Sequence, residues 1–131
     1  SQIALATRWS ENVTQALIQY LKEAGITVLA FRSQGRSLSE NKLANAQADH
    51  HLALKLGSEA LLAALMAGAL MPGGLWYAMH AVPILEAQFN KPVLLNILST
   101  TSNALRAHRQ TTDMSSFPKP NPHWGKVITS Y

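Results

Sequence analysis

The chain has 131 residues, enough for one compact domain and short for two. Hydrophobic residues make up 47%, which excludes wholesale disorder, and the absence of cysteine excludes disulfides, thiolate metal sites and cysteine nucleophiles within the chain. The formal charge of +4 raises nucleic acid as a partner, but the eleven Lys and Arg are scattered and no basic stripe interleaves with aromatics, so the charge reads as a mildly basic surface and no nucleic-acid partner is expected.

Ser1-Gln2 leads directly into an apolar run, with no charged leader or signal-type cleavage site, and a chain without an initiator Met is expected to be processed or a fragment. "IALAT", Ile3 to Thr7, predicts a short buried strand. After the polar turn Arg8-Trp9-Ser10, the residues Val13, Ala16, Leu17, Tyr20, Leu21 and Ala24 recur at three- and four-residue steps. That spacing predicts an amphipathic helix with Ser10 as N-cap and Gly25 just past its end. "ITVLAF", Ile26 to Phe31, predicts a second strand, and Ser33 to Asn41 a polar loop.

Asn45 to Leu56 is helical in pattern, Gly57 interrupts it, and Ser58 caps a further helix through Met66. Its alanine-rich centre, Ala60 to Leu70 with the next strand, is the longest apolar stretch and about half of what a membrane span needs, so no membrane partner and a cytoplasmic location are expected. Ala67 to Met71 predicts a third strand that stops at Pro72-Gly73-Gly74. Leu75 to Phe89 reads as a helix that Pro83 kinks or restarts. Pro92 to Leu98 is a fourth strand, and Ser99 to Arg109 a helix with a Ser/Thr-rich entry. From residue 111 the pattern changes, with Pro118, Pro120 and Pro122 at alternate positions, which predicts an α/β domain over 1–110 and an extended tail over 111–131 packing on the domain or on a partner.

Apolar strands alternating with helices predict an α/β fold, a four-stranded mainly parallel sheet with helices on both faces. Ligand sites of such sheets lie beyond the carboxyl ends of the strands. Three strand-to-helix turns there are rich in small residues: Ser10 and Asn12, Gly73-Gly74-Leu75, and Ser99-Thr100-Thr101-Ser102. Bared amides at helix starts, with the helix dipole behind them, favour a small anion such as carboxylate or phosphate. Trp9 in a polar turn is read as lining the cleft or an interface, and Trp76-Tyr77 as either an aromatic wall or packing. Asp49-His50-His51 is not read as a metal site, because neighbours on a helix point about a hundred degrees apart, and His80 is read as a surface residue. "PGGLWY" is neither a dinucleotide fingerprint nor a P-loop.

"IALATRWSENVTQALIQYLKEAGITVLAF" resembles the start of the second half of proteins of the aspartate/glutamate racemase superfamily, in the branch of arylmalonate decarboxylases and maleate cis-trans isomerases. "ALMPGGLWYAMHAVPILEAQFNKPVLLN" resembles the later segment of that branch, where a strand ends in Ser-Cys-Gly-Gly or Ser-Cys-Thr, and "HWGKVITSY" is similar to its closing tail. The resemblance implies one half of a pseudo-symmetric two-domain fold and cofactor-free chemistry beside a carboxylate, with a small dicarboxylate or related anion as partner. Together with the helix starts it leads to expected substrate-binding roles for Trp9, Ser10, Asn12, Gly73, Gly74, Leu75, Thr100 and Thr101, and no metal is expected. Gly73 stands where that branch carries a cysteine, Pro72 where a serine is usual, and Trp9 where a tyrosine is common, so no residue of this chain is identified as catalytic. The function expected is the C-terminal half of a cofactor-independent isomerase, racemase or decarboxylase of small dicarboxylic acids. The alternative is a non-catalytic anion-binding or oligomerisation domain on the same scaffold, and in either case a homo-oligomer or a missing N-terminal half is expected to cover the cleft.

Overall fold

A computed structural model describes residues 1–37, 40, 46–73 and 76–110. Among these the elements run β1 (Gln2–Trp9), α1 (Glu11–Glu23), β2 (Thr27–Arg36), α2 (Ala46–Ala63), β3 (Gly68–Met71), α3 (Ala81–Phe89), β4 (Val93–Leu95) and α4 (Asn96–Arg109). The four strands form one sheet in the order β2-β1-β3-β4, and every pairing is parallel. The tail over 111–131 lies outside the described residues.

β1 runs down the middle of the sheet and is buried from Ala4 to Arg8, as a central parallel strand covered on both faces must be. Its neighbouring residues Thr7 and Arg8 show which helix covers which face. The Thr7 hydroxyl meets the Thr14 hydroxyl of α1 at 2.8 Å, whereas the Arg8 guanidinium meets Asp49 of α2. The α2 face holds the main core: Ala4, Ala6, Ala69, Met71, Val93 and Leu95 of the sheet pack against Ala53, Leu56, Ala60 and Leu61 of α2 and Val82 and Leu85 of α3. Small residues on the strands let the helices sit close.

Ser10 is the N-cap of α1 as its sequence predicts, and Gly25 takes φ +76° just past the helix end. Several boundaries differ from the sequence reading, the first being that Arg8 and Trp9, read as a polar turn, close β1, where Trp9 pairs with β2. β2 does not end at Phe31: Ser33 to Arg36 remain in the strand, paired with Thr7 and Trp9, and Gly35 at φ +74° absorbs the register shift between those two partners. α2 runs unbroken through Gly57, where Leu85 of α3 occupies the space a side chain would need, its Cδ1 2.5 Å from where a Cβ would stand. The helix after the paired glycines begins at Ala81, not at Leu75, which puts Pro83 in its first turn where a missing N–H costs nothing. β4 stops at Leu95 and α4 begins at Asn96, so the apolar run that reads as strand through Leu98 is divided between a short strand and a helix start.

Gly68 is set by close packing. A Cβ there would lie 2.7 Å from the Pro92 carbonyl oxygen, the same oxygen that accepts the Ala69 amide at 3.0 Å. Gly68→Ala therefore has to push the β4 entry away, and we expect it to destabilise the fold by about 1–3 kcal/mol in urea unfolding. An unchanged midpoint would show that β4 moves freely.

Candidate functional site at the switch point of the sheet

β1 leads through α1 to β2 on one side, and the chain then returns through α2 to β3 on the other. The strand order therefore reverses between β1 and β3, and the crevice beyond their carboxyl ends is where open parallel sheets bind ligands. Two of the residues singled out from the sequence meet at that point. The Trp9 indole lies over Gly73, with Nε1 3.7 Å and Cζ2 3.8 Å from the position a Gly73 Cβ would occupy. Gly73 holds φ +119°, a conformation L side chains rarely adopt, so glycine is required there by the backbone itself and not by lack of room.

The wall beside this contact is built by an ion pair the sequence does not announce. Asp49, in the first turn of α2, is fully buried and accepts two hydrogen bonds from Arg8 Nη1, at 3.0 Å to Oδ1 and 2.9 Å to Oδ2. Its Oδ2 also accepts the Tyr77 amide at 3.4 Å, and Arg36 Nη1 stands 3.9 Å from Oδ1. One carboxylate thus joins β1, β2, α2 and the segment after the paired glycines. Trp76 packs on the same group, with Arg8 Cζ 5.9 Å from its ring centroid. Its indole Nε1 is buried and finds no acceptor among the described residues. So Trp9 lies against Gly73 and Arg8 against Trp76.

The other predicted site residues divide. Ser10 is half-buried at the start of α1, and its carbonyl accepts both the amide and the hydroxyl of Thr14 at 3.0 Å. Its own hydroxyl makes no capping bond. Asn12 is exposed in the first turn, next to Glu11, whose negative charge opposes an anion there. Gly74 and Leu75 lie outside the described residues. Thr100 and Thr101 are not at the helix entry. α4 starts four residues before Thr100, both threonines are exposed, and the Thr100 hydroxyl is 3.3 Å from Asn96 Oδ1. The Ser99 hydroxyl likewise turns back to the Leu95 carbonyl at 3.0 Å, the usual way such residues are accommodated inside a helix.

Tyr77 is exposed, and the neighbouring half or tail against which it is read as packing lies outside the described residues, whereas Trp76 belongs to the core. His80 is exposed and precedes α3, and its ring centroid lies 6.1 Å from that of His50, which is 5.9 Å from His51. Among the described residues no three His, Asp or Glu side chains are grouped to hold a metal ion.

The chain was compared with known proteins. No protein-family model matches it, and no curated protein does. Solved structures do. The crystal structure of arylmalonate decarboxylase superposes with a TM-score of 0.75 at 22% identity, covering 99% of this chain and 54% of that one. A variant of that enzyme with a glycine-to-cysteine and a cysteine-to-serine exchange, in a liganded form, gives 0.77 at 22% identity, covering 99% and 52%. A glycine-to-cysteine variant in a sulfate-ion-associated form gives 0.74 at 22%, covering 97% and 51%. The fold is that of one half of arylmalonate decarboxylase. The chain spans about half the length of the structures it matches, and identity at this level speaks for the fold alone. No helix among the described residues is long and apolar enough to cross a membrane.

Asp49 gives the site a direct test. Asp49→Asn leaves the Arg8 guanidinium buried without its countercharge, and we expect a loss of about 3–5 kcal/mol in urea unfolding. Replacing Arg8 and Asp49 together by apolar residues of similar size is expected to cost less than the sum of the single changes. Additive losses would show that the pair is not a unit.

Proposed function

We propose that the crevice between β1 and β3 binds one carboxylate of a small dicarboxylic acid, and that the chain is one half of a cofactor-independent decarboxylase, racemase or isomerase. The observation that carries this reading is the meeting of the Trp9 indole with the positive-φ backbone of Gly73 at the switch point of the sheet. A side-chain-free residue at that place lets a ligand approach the main chain, while the indole closes one side against water. The superposition on half of arylmalonate decarboxylase supports the same reading.

The chemistry follows from charge. Removing carbon dioxide or a proton beside a carboxylate leaves an enediolate, and its oxygens need donors already in place. The candidates in this chain are the Gly73 amide and the Ser10 hydroxyl, which makes no capping bond. Gly73 itself offers no group that can carry a proton. Its φ of +119° also makes a cysteine there a strained replacement, so on this reading the acid–base group is not supplied from position 73.

Two outcomes are expected. Proton NMR of the full-length protein with maleate or an arylmalonate shows isomerisation, decarboxylation or exchange of the hydrogen next to the carboxylate. Absence of all three overturns the enzymatic reading. Gly73→Cys lowers stability by about 1–3 kcal/mol in urea unfolding and does not raise the rate. A gain in rate would return the proton-transfer role to this position.

A further inference from the structure

We infer that Arg36 binds the second carboxylate of the ligand and makes the crevice prefer a diacid to a monoacid. The inference rests on the reading of the crevice as a carboxylate site. Arg36 is the last residue of β2 and pairs in register with Trp9, the residue that covers Gly73. It therefore stands at the carboxyl end of the strand that flanks β1 on the side away from β3, with its guanidinium 3.9 Å from Asp49, the carboxylate that also accepts the Tyr77 amide. Its side chain is 27% exposed, in contrast to Arg8 at 5%, so one arginine is sealed into the structure and the other reaches solvent.

The bonding of Asp49 separates their roles. Arg8 and the Tyr77 amide already occupy its two oxygens, with Arg8 reaching both. Arg36 stays at 3.9 Å, outside hydrogen-bonding distance, and among the described residues it donates no hydrogen bond. Two guanidinium groups thus face one buried carboxylate, and the outer one keeps its planar set of donors unused. The other acidic group acting on it is the exposed Glu40, whose carboxyl is drawn below its ordinary range first by the Ser37 hydroxyl and backbone and only last by Arg36. Glu40 is thereby committed to Ser37. A fork of free donors on a partly exposed arginine is the geometry that takes a carboxylate with two parallel bonds, which a lysine cannot reproduce. Asp49 keeps the Arg36 head near the crevice without saturating it.

The test uses the full chain, with malonate and acetate as probes, titrated by calorimetry and followed by backbone amide NMR at Gly73. The wild type is expected to bind malonate at least about tenfold more tightly than acetate. Arg36→Gln is expected to erase that preference to within about threefold while acetate still shifts the Gly73 resonance, and Arg36→Lys to keep part of it as a point charge. Because Arg36 is partly exposed and not hydrogen-bonded, both variants are expected to melt close to the wild type. If Arg36→Lys and Arg36→Gln both retain the full diacid preference while Gly73 responds, the role of Arg36 is overturned and the carboxylate crevice stands. If neither acid moves Gly73 in the wild type, both are overturned.

Discussion

The Asp49 carboxylate is the constraint on which the upper end of this domain depends. A fully buried charge is tolerated only where its countercharge and hydrogen bonds are in place. Here they come from β1 through Arg8 and from the segment after the paired glycines through the Tyr77 amide. That requirement fixes where α2 starts relative to the sheet, and it holds the chain beyond β3 down across the tip of β1. The contact between Trp9 and Gly73 is a neighbour of this arrangement and inherits its position from it. The crevice is therefore shaped from below by electrostatics in a dry interior, and from the side by an indole.

Trp76 shows the same economy with a different outcome. Its ring is core material, yet its buried N–H has no acceptor among the described residues. Unsatisfied buried donors are few in natural proteins and mark places where strain or an absent partner group is accommodated. This one lies beside Arg8, three residues after Gly73, at the boundary between the hydrophobic core and the crevice.

Much of the architecture is legible from local pattern. β1, α1 with its Ser10 start and Gly25 exit, and the apolar strands of a parallel sheet all follow from residue types a few positions apart. The misread places are those where a distant residue decides. Gly57 looks like a break until Leu85 is known to lie against it. The run from Leu94 to Leu98 is apolar apart from Asn96, and the local pattern does not say that Leu95 is strand and Leu98 helix, both of them buried. Trp9 and Gly73 can be named as candidates from composition of the turns, but their contact needs the sheet order. Arg8 and Asp49 are 41 positions apart, and only the alternation of β1 hints at them: Arg8 falls on the same strand face as Ala4 and Ala6, where a charge must find a partner.

The central position of β1 has a consequence for how the domain is made. Of these four strands β1 is made first, and β2 can join one of its edges early. Its other edge pairs Ile3 with Gly68, so that row of amides and carbonyls has no native partner until the chain has grown some 65 residues further. Through that interval the nascent domain carries an open, apolar strand edge of the kind that other chains add to. Chaperone dependence during synthesis, more than the stability of the finished sheet, is the natural vulnerability of this strand order.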